Sequence, residues 1–207
     1  LVHLRNRAVE EPSSTQSIAE RIVWKVWAWG NSGPRRYRLT MFGVTTPCVQ
    51  NVASQLEDDF EKYKMAMVFM LTTRGIPQLY YGTEILMNQG RDGDHGLIRT
   101  DFPGGWASDT VSVKDNIGLS NKQLEAKTFL RQLLHWRKSK KVLHTGQLTH
   151  YVPEEKTYVY FRHHLDDTVM VVLNKNTESY LLDLTRFKEC INDATTAKDV
   201  ISGEVFN

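Results

Sequence analysis

Residues 74–86 read RGIPQLYYGTEIL, an apolar run that ends in Tyr80, Tyr81, Gly82, Thr83 and Glu84. A carboxylate thus stands where the chain should be leaving a core, and a strand that finishes in two aromatics, a glycine and an acid reads as the lip of a site. The text that follows, NQGRDGDHGLIRTDFPGGWASD, carries Asp92, Asp94, Arg99 and Asp101 without periodicity. Long aperiodic loops inside a domain are uncommon, and function is a frequent reason for them. Three other sets of side chains invite chemistry. Trp24, Trp27 and Trp29 offer flat apolar faces that suit pyranose rings, although packing is the commoner use of such rings. His135, His144, His150, His163 and His164 fall on different predicted elements without a metal-ligand spacing. Cys48 and Cys190 lie far apart without the pattern of a zinc site or a disulfide framework, so they read as two free thiols.

The elements that must position the lip are partly legible. SQLE, residues 54–57, forms a capping box that predicts a helix starting at Ser54 and ending at Arg74 and Gly75. Leu56, Phe60, Tyr63, Met67 and Met70 give it one apolar face, with the methionines as core filler. Residues 76–81 predict a short buried strand with Pro77 at its start, where a missing N–H costs least. A helix followed by a buried strand is the αβ half of a βαβ repeat. Ser120 and Gln123 make a second capping box, opening a helix to about Ser139. Its Leu124, Phe129, Leu130, Leu133 and Leu134 point to a core, and Arg137, Lys138, Lys140 and Lys141 sit at its negative end. After Lys141 the period changes to two. KTYVYFRHH and TVMVVLNKN predict a hairpin, VLHTGQLTHYVPE precedes it and SYLLDL follows as a further strand. Tyr158, Tyr160, Val169, Val171 and Leu173 alternate and need a covering layer. The first fifty residues hold at most one short helix, over residues 18–29, and then a Gly/Ser/Pro break.

Composition narrows the partners. Of 207 residues, 41% are hydrophobic and 24% charged, enough for a real core, and 26 basic against 24 acidic residues give a net charge of +2. That balance makes no electrostatic case for nucleic acid or a membrane surface. No stretch reaches the ~18 apolar residues of a membrane helix. A chain that begins at Leu1 without an initiator Met or a signal-peptide pattern is expected to be a piece of something longer.

An apolar strand, a long polar loop, a helix and then a β module is how a (β/α)₈ barrel closes before a C-terminal sandwich. The predicted fold is therefore α/β, the C-terminal portion of a TIM barrel followed by an all-β antiparallel sandwich. Residues 1–50 are unassigned, 51–141 end the barrel and 142–207 form the sandwich. In such barrels the loops after the strands build the active site, which would set Glu84, Asp92, Asp94, Arg99 and Asp101 at the catalytic face.

At this point a resemblance enters. GIPQLYYGTEILM resembles the eighth-strand motif of the α-amylase family, glycoside hydrolase family 13, and GDHGLIRTDFPGGW resembles the loop that follows it in bacterial members of the neopullulanase and cyclomaltodextrinase group. The resemblance covers roughly residues 54–207. It implies hydrolysis of α-glucosidic bonds in malto-oligosaccharides, cyclodextrins or pullulan by a retaining mechanism, with two carboxyl groups roughly 5 Å apart as nucleophile and acid/base. Those two residues belong to the family's fourth and fifth strands, which this chain lacks, so none of its residues is expected to be catalytic. The family's Asn-His-Asp motif at the end of the seventh strand has no counterpart in VTTPCVQ, residues 44–50, although residues 39–43 make an acceptable strand end. The abrupt change near residue 51 favours out-of-frame or misassembled text upstream over a natural non-catalytic relative. The resemblance implies that Asp94 and Arg99 bind glucosyl hydroxyls on the non-reducing side of the cut, and that Tyr81 and Glu84 line the cleft. A loop-stabilising ion pair and packing at the barrel rim are the competing roles. No cofactor is implied, though the Asp/Asn/Gly-rich loop leaves Ca²⁺ open. The expected partner is an α-glucan oligosaccharide, and the alternative function is a non-catalytic carbohydrate-binding or interaction protein on a decayed amylase scaffold.

Overall fold

A carboxylate, rather than the predicted serine, starts the helix on which the core is built. The computed structural model of the chain describes residues 2–5, 41–43, 56, 59–87, 100–165, 167–191 and 196–206. Helix α1 spans Phe60–Thr72 and is capped by Asp59, whose side chain accepts from the N–H groups of Glu61 at 3.0 Å and Lys62 at 3.1 Å. A carboxylate there satisfies two orphan donors and faces the positive end of the helix dipole. The predicted cap residues Ser54 and Glu57 lie outside the described residues. The expectation of one apolar face is also corrected. Ala66, Met67, Val68, Phe69, Met70 and Leu71 are all buried, because the second half of α1 is enclosed by a helix on one side and a sheet on the other.

Strands β1, Val2–Arg5, and β2, Met41–Gly43, precede α1, and β3, Ile76–Gln78, follows it. β2 and β3 pair in parallel, Met41 opposite Ile76 and Gly43 opposite Gln78, with α1 in the connection between them. This is a βαβ unit. It sets Met41–Gly43, within the strand end read over residues 39–43, beside the predicted final strand. β3 is shorter than predicted and not buried. Ile76 is 47% exposed, since among the described residues only β2 flanks it.

Helix α2, Asn121–Ser139, starts at the predicted capping box. The Ser120 hydroxyl accepts from the Gln123 N–H at 3.3 Å, and the Gln123 side chain accepts from the Ser120 N–H at 2.9 Å. Ala126, Phe129, Leu130 and Leu133 are its buried stripe, whereas Leu134 faces outward. The short helix α3, Lys141–Thr145, leads into a sheet of β4, Gln147–His150, β5, Thr157–His164, and β6, Asp167–Asn174. β5 and β6 form the predicted hairpin, closing with His164 opposite Asp167.

The sheet order is β1-β6-β5-β4, and β1 joins β6 in parallel. The module is therefore not wholly antiparallel as predicted. SYLLDL, expected as a further strand, is not one, and the β6 edge is held by β1. Residues 179–183 are irregular, with Leu181 almost fully exposed, and lead into a 3₁₀ turn, Leu184–Phe187, and helix α4, Lys188–Ile191. Strands β7, Ala197–Lys198, and β8, Val205–Phe206, pair separately. Tyr158, Tyr160, Val169, Val171 and Leu173 pack on α1 and α2, which are the covering layer their alternation required. The opposite face, Val159, Phe161, Met170 and Val172, is covered by Phe187 and Cys190. A turn and a helix, not a second sheet, close that side among the described residues, which corrects the sandwich.

The two halves are fastened where α1 ends. Arg162 on β5 is fully buried and donates to the carbonyls of Thr72 at 3.0 Å, Thr73 at 2.8 Å and Gly146 at 2.9 Å. Arg137 on α2 donates to the Leu71 carbonyl, and the Thr72 and Tyr160 hydroxyls meet at 2.5 Å. Two cations thus serve the orphan carbonyls at the negative end of α1.

Candidate functional site

The predicted lip is a tight turn that leaves β3 and doubles back. Gly82 has φ of 83°, and a Cβ built there would lie 2.5 Å from the Met87 sulfur and 2.8 Å from its Cβ. Only glycine fits both the left-handed backbone and that close approach. The turn over Thr83–Ile85 is closed by the Met87 N–H donating to the Gly82 carbonyl at 2.9 Å. From α1, the Tyr63 hydroxyl donates to the Thr83 carbonyl at 2.9 Å. Burial, and secondarily the charge of Glu84, push the Tyr63 phenol well above its ordinary pKa. The turn therefore sets a half-buried carboxylate, Glu84, beside a phenol that stays protonated at neutral pH.

Tyr81 projects from the same turn and is 38% exposed. Its ring lies 4.4 Å from that of Tyr80 and edge-on to Phe102 at 6.4 Å, and its hydroxyl donates to the Thr100 carbonyl at 3.0 Å. Tyr81 therefore ties the exit of β3 to Thr100 and Phe102. From there Asp109 accepts from the N–H groups of Gly104 at 2.8 Å and Trp106 at 3.1 Å, bonds that hold its carboxyl below the usual range. On α2, Lys127 donates to the Val113 carbonyl and to the Asn116 side chain at 2.7 Å.

The structure thus brings Tyr81 and Glu84 together at one turn and leaves Asp101 exposed on the loop. Asp92, Asp94 and Arg99 lie outside the described residues, as do Trp24, Trp27, Trp29 and Cys48. Cys190 is buried and free, with the Tyr151 hydroxyl 3.3 Å from its sulfur. Among the described residues no group of three His, Cys, Asp or Glu side chains could hold a metal, and no helix is long and apolar enough to cross a membrane. Sequence reasoning missed Tyr63 as part of the site. It counted as one more apolar residue of a helix, and nothing in a 3.6-residue period marks which phenol will reach a turn twenty residues on.

Residues 148–207 match the family model described as the cyclo-malto-dextrinase C-terminal domain. The chain is 25% identical over 182 residues to an amylopullulanase of Thermoanaerobacter thermohydrosulfuricus, covering 81% of this chain and 11% of that protein. It is 27% identical over 121 residues to a cyclomaltodextrin glucanotransferase of Geobacillus stearothermophilus, covering 58% of this chain and 14% of that one. This chain thus spans little more than a tenth of the length of these relatives. Among solved structures, an α-amylase of Geobacillus thermoleovorans complexed with acarbose superposes with a TM-score of 0.64 at 20% identity, over 89% of this chain and 38% of that one. A cyclomaltodextrinase superposes with a TM-score of 0.52 at 22% identity, over 66% and 21%. At such identities the superpositions speak for the fold.

Proposed function

We propose, from the premise that this chain is the C-terminal part of an α-amylase-family member, that it closes the (β/α)₈ barrel of an α-glucan hydrolase and adds its C-terminal β module. The observation that carries this reading is the order in which the parts follow one another. The parallel β2-α1-β3 unit is followed by the glycine exit at Gly82, the long loop, the capped helix α2 and then the module matched by the family model. In a barrel the turn after β3 opens on the catalytic face. Tyr81 and Glu84 then line the rim, and Asp94 and Arg99, on the loop between them and Thr100, hold glucosyl hydroxyls on the non-reducing side of the cut. A carboxylate and a guanidinium suit that task, since one accepts and the other donates to hydroxyls that do both. The nucleophile and acid/base of the retaining reaction are assigned to no residue of this chain. Substrates in this reading are malto-oligosaccharides, cyclodextrins and pullulan.

The test is turnover of maltoheptaose, β-cyclodextrin and pullulan by the gene product that carries this chain, with Asp94→Ala and Arg99→Ala alongside. Losing a hydrogen bond to a charged group costs about 1.5–3 kcal/mol, so each variant is expected to lower kcat/KM by roughly ten- to a hundred-fold with the fold intact. Absence of α-glucan turnover in the parent protein would overturn the function. Unchanged kcat/KM on maltoheptaose, with a small loss of stability, would reassign Asp94 and Arg99 to an exposed ion pair.

A further inference from the structure

The loop over residues 100–118 is held together at many points, yet it leaves the largest apolar side chain it has in water. Trp106 is 66% exposed. Its own N–H and that of Gly104 are fixed by Asp109, the Val113 N–H donates to the Pro103 carbonyl at 3.3 Å, and Ser112 and Ile117 exchange backbone bonds at 2.9 and 3.0 Å. The Ser112 hydroxyl donates to Asp115 at 2.7 Å, and Lys127 fastens the base to α2. Gly104, at φ of 96°, comes so near Ser112 that a Cβ would sit 2.8 Å from the Ser112 Cα. The backbone that carries the indole is thus fixed on both sides of it. An exposed large apolar group, unlike a buried one, asks for an explanation.

We propose that Trp106 is a stacking platform for an α-glucan chain. The inference rests on the α-glucan reading given above and adds a binding residue to it. The indole supplies a flat apolar face for the C–H side of a pyranose ring. The exposed side chains of Ser108, Asp109 and Thr110 supply hydrogen-bonding groups beside it. The charge of the loop argues for a neutral polyol over a phosphate-bearing polymer, because residues 100–118 hold Asp101, Asp109 and Asp115 against Lys114 alone.

The experiment is titration of the 207-residue chain and its Trp106→Ala and Trp106→Phe variants with maltoheptaose, with cellohexaose as the control, by calorimetry and tryptophan fluorescence. Circular dichroism and size-exclusion chromatography accompany each protein. The wild-type chain is expected to bind maltoheptaose in preference to cellohexaose. Trp106→Ala should weaken that binding about ten-fold or more, and Trp106→Phe should fall between. Equal affinity in Trp106→Ala overturns the platform and leaves the hydrolase reading standing. Absence of binding by the wild-type chain likewise overturns the platform alone, since the hydrolase reading is decided by turnover of the parent protein. Preference for cellohexaose overturns the platform as an α-glucan site. A wild-type oligomer that dissociates in Trp106→Ala reassigns the indole to an interface between copies and also overturns the platform.

Discussion

Replacing Arg162 by methionine should loosen the chain where its two halves meet. The guanidinium donates three bonds of 2.8–3.0 Å, to the carbonyls of Thr72, Thr73 and Gly146, from a side chain with 1% of its surface exposed. Methionine fills similar volume but leaves those carbonyls without this donor. An unsatisfied buried polar group costs about 1–3 kcal/mol, so three give a gross loss of roughly 3–9 kcal/mol. Two effects reduce it. Burial pushes the Arg162 pKa down to about 10, so the cation is itself held at a cost that the variant removes. The Thr73 and Gly146 carbonyls lie near elements that end or begin and can draw in water. A net loss of about 2–4 kcal/mol is expected, or roughly 5–12 °C in Tm for a chain of this size. Urea unfolding followed by circular dichroism measures it, with Arg162→Lys, which keeps the charge but not the fork, expected in between. A change below about 0.5 kcal/mol with unaltered m-value would refute the reasoning, because it would mean that these carbonyls are satisfied without the arginine.

Two further outcomes follow from the same geometry. Burial raises the pKa of the Tyr63, Tyr158 and Tyr160 phenols, that of Tyr158 to about 12. Groups raised on folding stabilise fully below the unfolded value near 10 and withdraw that stability as pH climbs toward the folded value. Each should withdraw about 1.4 kcal/mol by pH 11, and Arg162, depressed on folding, offsets one of the three. The urea midpoint is therefore expected to stay flat from pH 7 to 9 and to fall by about 3 kcal/mol in stability at pH 11; a flat profile through pH 11 would contradict it. Gly82→Ala forces a Cβ onto a left-handed residue and against Met87, which should cost about 1–3 kcal/mol and speed amide exchange at Met87. A wild-type exchange rate there would show that the turn does not need its glycine.

What sequence could reveal divides along local and non-local lines. The α2 start was legible because Ser120 and Gln123 lie three residues apart and satisfy each other. The hairpin was legible because both its strands and their two-residue connection are contiguous. The start of α1 differs from the capping-box reading because Asp59, which that reading left inside the helix, caps it instead. SYLLDL has text that suits a strand yet is irregular, and the pairing of Val2–Arg5 with β6, some 170 residues along the chain, has no local signal either. The same distance hides Arg162, whose place in an alternating strand gives no sign that it will reach the end of α1. At the turn after β3, the need for Gly82 was legible from its motif, while the Tyr63 contact was not.

That this chain contributes scaffold and sugar contacts but no reacting carboxylate is tested most directly by reducing-sugar release from starch, β-cyclodextrin and pullulan by the purified 207-residue chain alone. A retaining glycosidase needs a nucleophile and an acid/base on opposite sides of the bond, and with neither assigned here the expected rate is indistinguishable from buffer. Turnover by a contaminant-free sample that disappears when any residue within the chain is substituted would contradict it.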